Sequence, residues 1–140
     1  MRMTVSDYQV LRAGGDPKEV DSTAPFEISI GDNIPENFVF GTNLARPVLY
    51  FIATGQPHGI RLRVRAGTIL PSLNFTSEYQ FLVGSPARTL HCALKMELGR
   101  GPMIQFQPMD EQAGDVAGRV FIDQVVLMYQ VAIDAEPYND

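Results

Sequence analysis

Residues 60–65 read Ile60-Arg61-Leu62-Arg63-Val64-Arg65. Apolar and basic residues alternate without a break, and successive side chains of an extended chain point to opposite sides. The stretch predicts a half-buried strand, with Ile60, Leu62 and Val64 turned into a core and Arg61, Arg63 and Arg65 turned away from it. Most other apolar segments of the chain are also short, rich in β-branched or aromatic residues, and bounded by glycine or proline.

Working upstream, residues 46–54 (RPVLYFIAT) are apolar on both faces, which predicts a strand lying centrally or under another layer. The five residues from Gly55 to Gly59 include two glycines and suit a hairpin into the arginine strand. Phe26, Ile28 and Ile30 alternate with Glu27 and Ser29 as a short strand with one wet face, and a second short strand fits Phe38–Phe40. Residues 13–25 hold Gly14-Gly15, Asp16-Pro17 and Ala24-Pro25, which is loop chemistry. Val5, Tyr8 and Val10 keep no single period, so residues 1–12 read as a first strand or an arm, and 1–25 as a peripheral segment.

Downstream, Tyr79, Phe81 and Val83 share one face of a strand over 77–83. Residues 87–98 (ARTLHCALKMEL) support two readings. Leu90, Leu94 and Leu98 make a helical stripe, whereas Leu90, Cys92, Leu94, Met96 and Leu98 line one side of a long or bent strand. The surrounding pattern favours the strand. Ile104 and Phe106 turn inward from a short strand over 103–107, and residues 108–118 form an acidic loop. The last strand, over 119–133, is long enough to carry a bulge near Asp123-Gln124, with Val125, Leu127, Tyr129 and Val131 facing one way and Val126, Met128 and Gln130 the other. About eight strands separated by turns, with connections too short for crossover helices, predict an all-β fold. The expected architecture is a two-sheet antiparallel β-sandwich of jelly-roll type, formed by residues 1–140 as one domain.

A chain of this size buries roughly two-thirds of its unfolded surface. With 45% apolar and 19% charged residues, the composition is that of a compact domain and not of a disordered chain. The single cysteine, Cys92, excludes an internal disulfide. Sixteen acidic and eleven basic residues give a net charge of -5. The arginine row is the one compact basic feature, too small a footprint for nonspecific nucleic-acid binding. No leader-like or membrane-spanning apolar run is present, so the expectation is a protein without nucleic-acid or membrane partners, cytoplasmic by default.

Residues 46–133 resemble the galactose-binding-like jelly-roll superfamily. A central apolar strand leads into Ile60-Arg61-Leu62-Arg63-Val64-Arg65-Ala66-Gly67, which resembles the VxVxVNG strand of such domains, with Ala66 in place of the usual Asn. Leu98, Gly99, Ile104 and Phe106 echo a later LxGxNxIxF pattern with altered spacing, and FIDQVVLMYQV is similar to the closing strand. The resemblance implies a binding or accessory module, commonly for a glycan, with ligand loops at one end of the sandwich. No sugar-binding residue of the superfamily carries over.

Candidate chemistry is sparse. No HExxH, phosphate loop, dinucleotide fingerprint or paired-cysteine motif occurs. His58, Arg61, Arg63 and Arg65 define a candidate ligand surface, because the planar guanidinium suits carboxylate or phosphate. Asp110, Glu111 and Asp115, joined by Asp123, offer hard oxygen ligands for a structural calcium, with solvated loop carboxylates as the plainer reading. No other cofactor is expected. His91 and Cys92 point to opposite faces of a strand, which argues against a Cys–His dyad. Tyr50, Phe51, Tyr79, Phe81 and Tyr129 fit core packing better than a stacking platform. These residues predict a noncatalytic binding module for a glycan, an anionic ligand or a protein partner. Two other classes stay open: a small β-fold enzyme (hydrolase, isomerase or cyclase) with an apolar pocket, and a structural subunit of a homo-oligomer.

Overall fold

The structure is a computed structural model that describes residues 2–20, 25–30, 47–56, 59–70, 72–95, 100–109 and 119–134. These contain nine strands: β1 (Arg2–Arg12), β2 (Lys18–Val20), β3 (Phe26–Ser29), β4 (Val48–Gln56), β5 (Ile60–Leu70), β6 (Asn74–Val83), β7 (Arg88–Ala93), β8 (Arg100–Pro108) and β9 (Arg119–Asp134). One sheet has the order β1-β9-β4-β7, with β2 also paired to β9; the other has the order β3-β8-β5-β6. All pairs are antiparallel. The fold is therefore an all-β, two-sheet antiparallel sandwich, in an arrangement consistent with a jelly roll.

The pairing is nested. β5 pairs with β6, β4 with β7, β3 with β8 and β1 with β9. The chain is thus one long antiparallel ribbon, rolled so that β4 meets β9 and β5 meets β8 at the seams. Rolling places β4 and β5 in different sheets, so the hairpin expected at Gly55–Gly59 does not form. That link instead crosses from one sheet to the other. A five-residue, glycine-bearing link is compatible with either path, and the apolar face on each flanking strand favours packing the two strands face to face.

The alternation that opened the reading holds. Leu62, Val64 and Ala66 are fully buried, while Arg61, Arg63 and Arg65 lie on the outer side of their sheet. Facing them across the core are Leu49, Phe51 and Ala53 of β4 and Ile122, Val125 and Leu127 of β9. Phe51 sits between the layers. Its ring meets Phe81 edge-on at 5.4 Å and Phe106 at 5.3 Å, the geometry that aromatic quadrupoles prefer. Residues 88–93 form a strand, with Cys92 and, just beyond it, Leu94 buried and His91 exposed.

Two irregularities shape the surface. β5 continues through Gly67 to Leu70 because β6 bulges opposite Ala66 and Gly67. A Cβ on Gly67 would lie 1.9 Å from the Asn74 carbonyl oxygen, so glycine alone permits this approach of the two backbones. In β9, the register moves from Phe51↔Val125 to Ala53↔Ile122, leaving Asp123 and Gln124 opposite Ile52 alone. This is the bulge expected at that site, and it reverses the parity of the strand. Val120 and Ile122 point inward before it, and Val125, Leu127 and Tyr129 after it.

Both described strands of the N-terminal segment pair with β9: β1 over the second half of that strand and β2 over the first. The short strand β2 was invisible in a stretch dominated by Gly and Pro, since it has only Val20 as a buried anchor. The strand expected at 38–40 and the acidic residues from 110 to 118 lie outside the described residues.

Candidate functional site

The two sheets present outer faces of opposite chemistry. On the β3-β8-β5-β6 sheet, the arginine row lies between glutamines of β8 and acidic or amide residues of β6. Arg65 is opposite Gln105 on one side and Glu78 on the other, and Arg63 is opposite Gln107 and Gln80. Arg65 donates to Gln105 Oε1 from Nε (3.1 Å) and Nη2 (2.5 Å), and its guanidinium lies 4.1 Å from the centre of the Phe75 ring. Arg63 donates to Gln107 and lies 3.9 Å from Glu78. Burial and the neighbouring Arg63 lower the Arg65 pKa from its ordinary value, while Glu78 and Glu27 oppose the shift. Arg61 is the exposed member of the row, and its carbonyl accepts the Met109 amide at 2.8 Å. The Arg63 and Arg65 guanidiniums are therefore committed to cross-strand contacts within the sheet. His58 lies outside the described residues.

Among the described residues, the outer face of the β1-β9-β4-β7 sheet carries the exposed pair Arg119 and Glu19, 3.6 Å apart, at the end of Gln56 and Phe121, and an apolar strip at the other end. Tyr8 and Val10 of β1 are opposite Met128 and Val126 of β9, which are in turn opposite Val48 and Tyr50 of β4. Tyr8 is 61% exposed, Val10 45% and Met128 40%, so this apolar strip faces solvent among the described residues. Tyr50 tilts against His91 of β7 at 5.7 Å.

At the other end of this face is an open cleft of about 430 Å³. Its floor is Ile52 and Thr54 of β4 with Phe121 of β9, and Thr54 and Phe121 are direct cross-strand neighbours. Pro17 and Ala87 flank it, and Gln56 and Asp123 supply polar groups. The β9 bulge builds this site. Had β9 kept the parity set by Val125 and Leu127, Phe121 and Asp123 would point into the core; the extra residue turns both outward. The wall that carries Pro17 is fastened to the same bulge. Gly15, at φ +107°, donates its amide to Asp123 Oδ1 at 2.7 Å. Arg12 donates to the Asp123 carbonyl at 2.6 Å and to the Asp16 carbonyl.

Asp123 is the one member of the expected calcium set among the described residues; Asp110, Glu111 and Asp115 lie outside them. No group of three or more His, Cys, Asp or Glu residues able to hold a metal occurs among the described residues. Cys92 is buried beneath the opposite side of β7 from His91, and burial pushes its thiol pKa up to about 12. A thiol held protonated in this way is a poor nucleophile. Of the five aromatics weighed as a stacking surface, Phe51 and Tyr129 are buried, and Tyr79 and Phe81 pack against the core from inside. Tyr50 alone lies on an outer face. Sequence reasoning missed Ile52, Thr54, Gln56 and Phe121 as a group, although the two-faced apolar pattern of residues 46–54 already marked β4 as having a second apolar side.

No protein-family model matches the chain. No curated protein matches it either. Among solved structures it is similar to one described as Bacillus endospore appendages forming a novel family of disulfide-linked pili, at 7% identity over 94% of this chain and 91% of that one (TM-score 0.41). It is also similar to the carbohydrate-binding module CBM36 in complex with calcium and xylotriose, at 10% identity over 89% and 98% of the two chains (TM-score 0.43). A third likeness is to a family two carbohydrate esterase from Cellvibrio japonicus, at 13% identity over 98% of this chain and 37% of that one (TM-score 0.38). These are distant likenesses of β-sandwich fold. Among the described residues no helix is long and apolar enough to cross a membrane.

Proposed function

We propose that this domain is a noncatalytic binding module that takes an uncharged glycan on the outer face of the β1-β9-β4-β7 sheet. The observation that carries the reading is the β9 bulge, which turns Phe121 and Asp123 together into the cleft beside Thr54 and Gln56. An apolar ring beside a carboxylate, an amide and a hydroxyl suits a sugar, whose C–H faces pack on aromatics and whose hydroxyls donate and accept hydrogen bonds. The cleft is open, the core side chains of the described strands are buried, and Asp123 is the one titratable group among the described residues that line it. These features favour binding over the enzyme reading, which calls for several convergent polar groups in an enclosed pocket. The galactose-binding-like resemblance favours the same class, although it implies a site at the loop end, whereas the cleft lies on a sheet face.

Titration calorimetry against a panel of soluble neutral oligosaccharides tests the proposal. Phe121→Ala weakens binding about tenfold, equivalent to about 1.4 kcal/mol. Arg61→Ser, on the opposite sheet, leaves it unchanged. Loss of binding in Arg61→Ser with full binding in Phe121→Ala would move the site to the arginine row and its anionic ligands.

The exposed Tyr8, Val10 and Met128 favour a second reading, in which the strip is covered by another copy of the chain. Sedimentation at micromolar concentration decides it; a single species with the mass of one chain removes the homo-oligomer.

A further inference from the structure

Two smaller depressions continue the cleft along the same face. One, of about 50 Å³, shares Ile52 with the cleft and adds Tyr50, Thr89 and Gln124. The next, of about 150 Å³, shares Tyr50 with the second and adds Val48 and Met128. The three therefore form a series along the outer side chains of β4, from Gln56 to Val48, with β9 beside them throughout. At the rise of an extended strand this series is roughly 26 Å long.

We infer that the cleft is the deep end of a groove that holds an extended, uncharged glycan chain along β4 and β9, and is not a pocket for one terminal sugar. The inference rests on the reading of the cleft as a glycan site. Charge complementarity selects the occupant. Among the described residues that line the three depressions there is no lysine or arginine, and Asp123 at the deep end is the one carboxylate. Beside the deep end, Arg119 opposite Gln56 and Glu19 opposite Phe121 pair with each other at 3.6 Å, so together they add no net charge for a polyanion or a polycation. Thr54 and Gln56, then Thr89 and Gln124 level with Ile52, and Ser6 and Gln130 at the far end offer neutral hydrogen-bonding groups, with the apolar Tyr50, Val126 and Met128 between the last two sets. That alternation matches a polyhydroxylated chain, which presents hydroxyls and C–H faces in turn.

The test is calorimetry with cello-oligosaccharides and xylo-oligosaccharides, from the disaccharide to the hexasaccharide. At least one series should bind, with the hexasaccharide tenfold or more tighter than the disaccharide. Phe121→Ala should weaken every length. Tyr50→Ala should weaken the hexasaccharide about tenfold while leaving the disaccharide unchanged, and Val48→Thr, a milder change at the far end, should do the same to a smaller degree. Melting curves of each variant establish that the fold is retained. A hexasaccharide that binds no tighter than the disaccharide, or that is indifferent to both Tyr50→Ala and Val48→Thr, overturns the groove and leaves a Phe121-dependent cleft standing. Absence of heat with every oligosaccharide overturns the glycan reading and the groove together.

Discussion

The outer faces of the two sheets are built on the same backbone plan and end in opposite states. On one, Arg63 and Arg65 are tied across the strands to Gln107, Gln105 and Glu78, and Phe75 packs against a guanidinium. On the other, Tyr8, Val10 and Met128 stand in solvent beside a cleft floored by Ile52 and Phe121. The difference teaches that a conspicuous row of charges marks a strand more reliably than it marks a site. Among the described side chains of the arginine face one buried donor, Arg63 Nε, has no hydrogen-bond partner, but polar groups already paired with one another have little free energy left for a ligand. Exposed apolar groups flanked by neutral donors retain theirs.

The contrast breaks entirely if the shared core is opened. Phe51→Ala removes the ring that both sheets pack against and should cost about 3–5 kcal/mol in urea unfolding. Both faces should then be lost in one transition, followed by fluorescence and far-ultraviolet circular dichroism. Gly67→Ala places a methyl group against the Asn74 carbonyl and should cost about 1–3 kcal/mol, more if the strands cannot separate. Its damage should be local to the arginine face, and hydrogen exchange should rise in β5 and β6 before it does in β4 and β9. Arg65→Ala deletes two hydrogen bonds to Gln105 and the Phe75 contact, and should cost about 1–2 kcal/mol by the same unfolding assay. If it is neutral, the arginine face is not internally committed and the comparison fails. Met128→Gln, on the exposed strip, should change stability by less than about 0.5 kcal/mol.

How much of this was legible beforehand depends on what each residue answers to. The strand of residues 60–65 was readable because its pattern reports burial directly, and burial is what β5 experiences. The bulge at Asp123-Gln124 was readable because a strand over 119–133 is long enough to bend or carry one. The pairing of β4 was not, since the Gly55–Gly59 link is compatible with a turn within one sheet or a crossing between two. The cleft was less legible still. Phe121 and Asp123 look inward by simple parity with Val125 and Leu127, and the bulge that turns them outward acts through backbone register. Pro17 reaches the cleft because Arg12 and Gly15 bind the bulge, a contact across more than a hundred residues that no local pattern encodes. The arginine row was visible, but its cross-strand partners on β8 were not, so its commitment within the sheet could not be read.

The nested pairing has a consequence for biosynthesis. β5 and β6 are neighbours in the chain and can close as soon as both have left the ribosome, whereas Arg2 must wait for Asp134. Among the described strands, β1 is therefore made before the others and is paired only when β9, the latest of them, is made. Until β9 is made, the backbone of β1 has no strand to pair with, and in that interval its unpaired edge is a template for aggregation.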